Sequence, residues 1–270
     1  MTDLIDTHCH IQSAGNSAGE RTTGEIWAKE ASLTGDSLIA NAVADGVAKM
    51  ICVGCDTGDS ELAIDFVRER EHVWASIGIH PHEAQVSLDQ DVLSAFKGLV
   101  DKPKVIAVGE CGLDYYYNHS PKEAQITVLE FQIQLALEAG LPLIFHVREA
   151  FDDFWSIFDK YPGIRGVLHS YTDNQANLDE AIKRNLYIGV NGIATFAKNV
   201  SQLDVYRAVP LQKLLLETDA PFLTPTPYRG TINEPKRVGT TAAFLAELRG
   251  ETLEQLAAAT TQNAQQLFGI

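Results

Sequence analysis

Six residues able to bind a metal ion close short apolar runs of this chain. His8 and His10 end LIDTHCH, Glu110 ends VIAVGE, His146 ends PLIFH, His169 ends GVLH and Asp219 ends KLLLETD. On a strand, His-x-His sends both side chains to the same side, because side chains alternate with period two. His8 and His10 can therefore share one ion. Glu110 has two carboxylate oxygens and can bridge a pair of ions, the second held by His146 and His169. Four imidazoles and two carboxylates suit Zn²⁺, Mn²⁺ or a similar borderline ion, and they leave coordination positions open for water. Such ions acidify bound water and clamp the oxygens of the group under attack. Asp219 is the residue placed to orient that water and take its proton. This chemistry serves phosphoester, amide and lactone hydrolysis alike, so it sets the reaction class and not the substrate.

The elements that must position these residues read as eight buried parallel strands, short and apolar on both faces. They cover 4–10, 48–54, 73–80, 105–109, 142–146, 166–169, 186–190 and 213–217. Helical patterns lie between most of them. Ser120-Pro121-Lys122-Glu123 reads as a capping box opening a helix that stops at Gly140, and Thr252 with Gln255 reads as another. A helix over 59–71 follows Asp59, and two more follow the eighth strand near 239–249 and 252–267. Strand and helix alternating eight times predicts an α/β fold, a single (β/α)8 TIM-type barrel with the metal site at its C-terminal face and some distortion. An open doubly wound sheet would not bring five such strand tips to one point. With no linker or repeat, residues 1–270 read as one domain.

One connection is long. Residues 11–35 separate the first strand from its helix, and loops of this size often act as lids. TGEIWAKEASL within it can form a short helix that brings Trp27 over the barrel mouth; the competing reading is an insertion whose tryptophan packs on the surface.

The formal net charge of −15 disfavours extended grip on duplex nucleic acid, yet allows a phosphate-bearing substrate held locally by metal ions and a few arginines. No run approaches the roughly 20 apolar residues of a membrane span, and MTDLIDTHCH has no basic n-region or apolar h-region. The four cysteines lie in or beside strand-like runs and read as core thiols of a reducing compartment. Cys52 and Cys55 form a C-x-x-C, but Cys52 belongs to the run AKMICVG. A cytoplasmic protein with no membrane and no obligate protein partner is expected.

Further residues face the same end. His80 and His82 in GIHPH can contact substrate phosphate or the attacking water, or else shape the loop around Pro81. Arg148 can clamp a phosphate through its planar fork or pair with Glu149 or Asp152. Tyr115, Tyr116 and Tyr117 can stack on bases or pack. Arg229, Asn233 and Glu234 follow the eighth strand and can bind substrate or lock their loop. His72 and His119 read as exposed and inert.

The strings DTHCH, GIHPH, VGECGLDYYY, FHVREA, VLHSYT and ETDAPFLTPTPYRG-TINEP together resemble the TatD family of metal-dependent hydrolases, of the amidohydrolase superfamily. The resemblance covers nearly the whole chain apart from 11–35. It implies a distorted (β/α)8 barrel, a need for divalent metal (Mg²⁺ in common assays) and phosphodiester cleavage, often from DNA 3′ ends. By position it implies that His8 and His10 bind one ion, Glu110 bridges, His146 and His169 bind the other, and Asp219 is ligand and acid/base. Glu110 stands where many superfamily members carry a carboxylated lysine, which argues against a phosphotriesterase-like site. HSYTD at 169–173 departs from the usual HCFTG. Tyr171 adds a hydroxyl and Asp173 a charge on the expected substrate face. The expected function is a metal-dependent deoxyribonuclease with two divalent ions (Zn, Mn or Mg), acting on single-stranded DNA or DNA ends. Its candidate substrate contacts are His80, His82, Arg148, Tyr171 and Arg229. The alternative is a small-molecule amidohydrolase or esterase on the same binuclear barrel; a non-catalytic scaffold is disfavoured by the complete ligand set.

Overall fold

The computed structural model describes residues 3–15 and 22–270. Eight strands form one parallel sheet in sequential order: β1 (Leu4–Cys9), β2 (Val47–Val53), β3 (Val73–Ile77), β4 (Val105–Asp114), β5 (Leu143–Arg148), β6 (Gly166–Leu168), β7 (Tyr187–Val190) and β8 (Leu214–Leu216). The helices are α1 (Thr22–Trp27), α2 (Gly35–Ala44), α3 (Thr57–Val67), α4 (Gln90–Lys97), α5 (Lys122–Ala139), α6 (Phe151–Phe158), α7 (Gln175–Lys183), α8 (Val200–Ala208), α9 (Val238–Arg249) and α10 (Leu253–Phe268). The sheet curls until β8 meets β1, giving the expected barrel.

Closure is irregular, as expected of a distorted barrel. In place of a β8–β1 ladder, the Thr7 hydroxyl donates to the Leu216 carbonyl at 3.0 Å, and the turn after β8 completes the seam. There the Asp219 amide donates to the His8 carbonyl and the His10 amide to the Ala220 carbonyl, each at 2.8 Å. The seam thus fixes Asp219 directly to the His-x-His strand.

Alternation divides each strand between two cores. Leu4, Met50, Cys52, Val108, Phe145 and Ile188 face the helices. Ile5, Ile51, Val53, Ala107, Ile144, Val167 and Leu215 fill the barrel interior, closed below by Ala264, Leu267 and Phe268 of α10. The interior is therefore packed, and the candidate site lies at its C-terminal mouth.

Several local expectations need correction. The Ser120 capping box does not form: its hydroxyl donates to the His82 carbonyl at 2.7 Å and accepts from the Gln85 amide at 3.0 Å. Tying down the 81–85 turn takes the place of capping α5. The helix expected over 59–71 starts earlier and stops at Val67, because Asp56 and not Asp59 caps it, accepting from the Asp59 amide at 2.8 Å. The Thr252/Gln255 box forms as expected.

Trp27 is neither a lid nor a surface side chain. It is 1% exposed within the main core, and its indole N–H donates to the His10 carbonyl at 3.0 Å. The short helix expected from TGEIWAKEASL is α1. The part of the lid expectation that falls on 16–21 lies outside the described residues.

Candidate metal centre

The expected metal ligands converge at the barrel mouth around one carboxylate. Glu110 lies within β4, which runs past Gly109 to Asp114 with a register break between Val108 and Cys111. The backbone there passes very close to its neighbours. A methyl group on Gly112, at φ +152°, would overlap the His146 carbonyl oxygen, and one on Gly78 would overlap the Glu110 backbone. Glycine at both positions lets the β4 bulge nest between β3 and β5, which turns the Glu110 side chain inward.

The two Glu110 oxygens face different partners. Oε2 lies 3.4 Å from His8 Nε2. Oε1 lies 2.8 Å from His146 Nδ1, 3.6 Å from His80 Nε2 and 3.8 Å from His169 Nε2. Asp219 completes the His8 side: its Oδ1 is 3.3 Å from His10 Nε2 and 3.8 Å from His8 Nε2. Asp219 sits three residues beyond β8 with φ +58°, a left-handed conformation that the seam hydrogen bond sustains. Four compact donor groups result among the described residues: His8–Glu110–His169, His8–His10–Asp219, His10–Cys55–Glu110 and His80–Glu110–His146. His146 and His169 both approach Glu110 but fall into different groups, and His80 enters as a further possible donor.

This donor set fits metal ions. Three imidazoles turn one nitrogen toward the centre and the other to a fixed acceptor. His10 Nδ1 is 2.9 Å from the Val53 carbonyl, His146 Nε2 is 3.1 Å from Asp114 Oδ2, and His169 Nδ1 is 3.0 Å from Glu217 Oε1. Such outer partners orient ring and tautomer in metal-binding histidines. His8 is fully buried: Nδ1 has no hydrogen-bond partner among the described residues, and Nε2 has only the loose approaches of Glu110 at 3.4 Å and Asp219 at 3.8 Å. A buried unpaired polar group costs about 1–3 kcal/mol, so a bound ion would remove a standing penalty.

Protonation follows from this crowding. Burial works against charge on His146, but hydrogen bonds to Asp114 and Glu110 outweigh it and raise it to about 9. His169 is likewise raised to about 9, against burial, by Glu217 and Glu110. Burial pushes Glu110 up, yet His80, His169, His146 and His8 hold it well below the usual carboxylate range. Asp219 is lowered, against burial, by His10, His169 and His8. Imidazolium groups here balance the carboxylates, as cations would.

Sequence reasoning missed the supporting acids. Asp114 is buried; its Oδ2 accepts from His82 at 3.0 Å and from His146, and its Oδ1 accepts from the Tyr117 amide at 2.9 Å. Gln125 of α5 fixes the Asp114 backbone from both sides. Glu217 is 1% exposed and also accepts from the Ser170 amide. Asp6, likewise buried, accepts from the Thr218 amide at 2.8 Å and from its hydroxyl at 2.6 Å, bracing the turn that carries Asp219. The signal was present in the strings GLDYYY, ETD and IDTHCH, whose acids stand beside the ligands.

The candidate substrate contacts divide. His80 and His82 line the site, and Arg148 lies beside it, exposed, with its guanidinium over Tyr116 and Tyr117. It pairs with neither Glu149 nor Asp152. Tyr171 is a correction: it is 3% exposed, packs against Phe151 and donates its hydroxyl to the Asn174 carbonyl. The extra hydroxyl braces a turn, so the ring points into the core and away from the mouth. Arg229 is exposed on the loop after β8, donating to the Thr224 carbonyl at 2.9 Å and stacking on Phe196. Asn233 locks the same loop through the Thr218 and Phe222 carbonyls.

Comparison with known families decides the lineage. The model of the TatD related DNase family matches residues 5–269. The chain belongs to the TatD family. It is a metal-dependent hydrolase of that family, which agrees with the donor set. It is 35% identical over 269 residues to the Bacillus subtilis uncharacterized metal-dependent hydrolase YabD, covering 99% of each chain. It is 35% identical over 244 residues to the Citrobacter rodentium 3′-5′ ssDNA/RNA exonuclease TatD, covering 87% of this chain and 92% of that one. Among solved structures, the Escherichia coli TatD homolog YJJV superposes with a TM-score of 0.86 at 26% identity, covering 99% and 98%. An E. coli phosphotriesterase homology protein shares the fold, with a TM-score of 0.68 at 14% identity.

Proposed function

We propose that this TatD-family hydrolase is a nuclease that cleaves phosphodiester bonds at the ends of single-stranded nucleic acid, DNA first, with two divalent ions. The observation that carries the two-ion reading is the split environment of Glu110: one oxygen faces His8 at 3.4 Å and the other His146 at 2.8 Å, with His169, stacked on His8, 3.8 Å from that second oxygen. His8, His10 and Asp219 would hold one ion, His146 and His169 the other, and Glu110 both. Zn²⁺ or Mn²⁺ matches the imidazole-rich set, with Mg²⁺ able to substitute in assay. Bound there, the ions would supply Lewis acidity toward the phosphate and toward the attacking water.

The chain's own groups do the rest. Asp219, the partly exposed carboxylate of the set, orients the water and accepts its proton. Asp114 and Glu217 hold the rings of His146 and His169, and Val53 holds that of His10. Arg148 is an exposed cation beside the mouth and would take a substrate phosphate through its fork. His80 and His82 line the same path. The relatives named as ssDNA/RNA exonucleases support the substrate class, and the net charge of −15 favours short contact at a strand end over a long duplex track.

The test is cleavage of an end-labelled single-stranded DNA oligonucleotide with Mg²⁺ or Mn²⁺, wild type beside Asp219→Asn. Metal-dependent shortening by the wild type, lost in the variant, is expected. A metal-loaded wild type that leaves the oligonucleotide intact overturns the nuclease reading in favour of a small-molecule amide or ester substrate.

A further inference from the structure

The geometry points to Tyr116 and Tyr117 as a base-stacking platform that selects unpaired nucleotide ends; this rests on the nuclease reading. Both rings are about half in solvent, 54% and 52% exposed, and they stand side by side at the barrel mouth. Neither hydroxyl has a hydrogen-bond partner among the described residues. Tyr115 differs: its hydroxyl donates to Asp153 at 2.8 Å and its ring is partly buried, so it is held in place.

The platform is tied to the metal centre through Asp114. The Tyr117 amide donates to Asp114 Oδ1, and the other oxygen of that carboxylate holds His146, which contacts Glu110. The Tyr117 ring stands edge-on to His82 at 5.6 Å. His119 lies nearly parallel to it, 5.8 Å between centroids and 8° between planes. Tyr116 meets Tyr117 at 87°, so the two ring planes are oriented differently.

Arg148 supplies the charge. Its guanidinium carbon is 4.1 Å from the Tyr116 centroid and 4.7 Å from that of Tyr117, and it makes no ion pair among the described residues. Stacked on one side, it keeps its N–H groups free for a phosphate. Aromatic faces with an adjacent arginine are how proteins hold single strands without reading sequence.

Selection follows from access. A base inside a duplex has both faces covered by its neighbours, so only an unpaired or frayed end can lay a base on Tyr116 or Tyr117. Stacking reads the base and ignores the sugar, so DNA and RNA ends should be held alike.

The test uses the metal-loaded full chain and two oligothymidylates of equal length. One carries ordinary residues throughout; the other ends in two abasic tetrahydrofuran residues. The wild type is expected to prefer the base-bearing end, with KM lower on the order of tenfold for each stacked base. In a Tyr116→Ala/Tyr117→Ala double variant the preference should fall toward one, while the Phe/Phe variant keeps it. Wild type that cleaves both ends with equal KM overturns the platform and leaves the nuclease reading standing, and this comparison needs no variant to fold. A preference that survives the Ala/Ala change also overturns it. Wild type that cleaves neither oligonucleotide overturns the nuclease reading and this inference with it.

Discussion

Replacing Asp114 by asparagine keeps the shape of the side chain and changes its hydrogen-bond logic. The carboxylate accepts from three donors: His82 Nε2 at 3.0 Å and His146 Nε2 at 3.1 Å on one oxygen, and the Tyr117 amide at 2.9 Å on the other. An amide must turn its NH2 toward one of these positions. Facing Tyr117, it sets donor against donor and strains the 115–117 turn. Facing the histidines, it favours the His146 tautomer with the proton on Nδ1, the nitrogen 2.8 Å from Glu110 that a metal ion needs. Loss of such an outer partner costs about 10–100-fold in metal affinity, or roughly 1.4–2.7 kcal/mol. Stability should fall by about 1–3 kcal/mol, the cost of an unsatisfied buried group. Calorimetric titration of metal-free wild type and Asp114→Asn with Mn²⁺ measures the first quantity, and chemical denaturation of the metal-free proteins the second. The ion on the His146 side should be the one affected. Metal affinity unchanged within twofold, in a variant that is folded, would refute the claim that Asp114 fixes His146 as a ligand.

Two other outcomes are expected. Metal uptake should release protons, because His146 and His169 are raised to about 9 and His10 is raised well above its ordinary range in the metal-free protein, and each must give up a proton to ligate. Titration at pH 7 in buffers of different ionisation enthalpy should therefore show roughly three protons leaving, and apparent affinity should climb with pH from 7 to 9. A pH-independent affinity from 7 to 9 would contradict the protonated resting state. Trp27→Phe should cost about 2 kcal/mol, from the lost indole bond to the His10 carbonyl and the space left in the core. That predicts a Tm lower by roughly 4–8 °C. An unchanged melting temperature would show that Trp27 does not anchor the loop.

The barrel was legible because a parallel strand buried on both faces reads as an uninterrupted apolar run. MICV, LIF and LLL announce β2, β5 and β8 with little ambiguity. The convergence of the six candidate ligands was legible for a related reason: a histidine or acid at the end of such a run has left the packed interior and entered the mouth. The far half of β4 was not legible, since GECGLD carries two glycines and two acids. Its glycines serve the close passage against β3 and β5, and the local pattern gives no sign of a neighbour that near. Asp6, Asp114 and Glu217 escaped notice because a buried acid holding an imidazole or a turn has the same letter as a solvated one. Ser120, Trp27 and Tyr171 show the same limit. Each has a polar atom whose partner its letter does not show: for Ser120 and Trp27 the His82 and His10 carbonyls, distant in the chain, and for Tyr171 the Asn174 carbonyl of its own turn. Sequence spacing offered a different use for each.

The central claim is that Glu110 bridges two ions, one held with His8, His10 and Asp219 and the other with His146 and His169. Anomalous diffraction from crystals grown with Mn²⁺ tests it most directly. Two peaks, one on each side of the Glu110 carboxylate, are predicted. A single peak, or a pair that leaves Glu110 without an ion, would contradict the account.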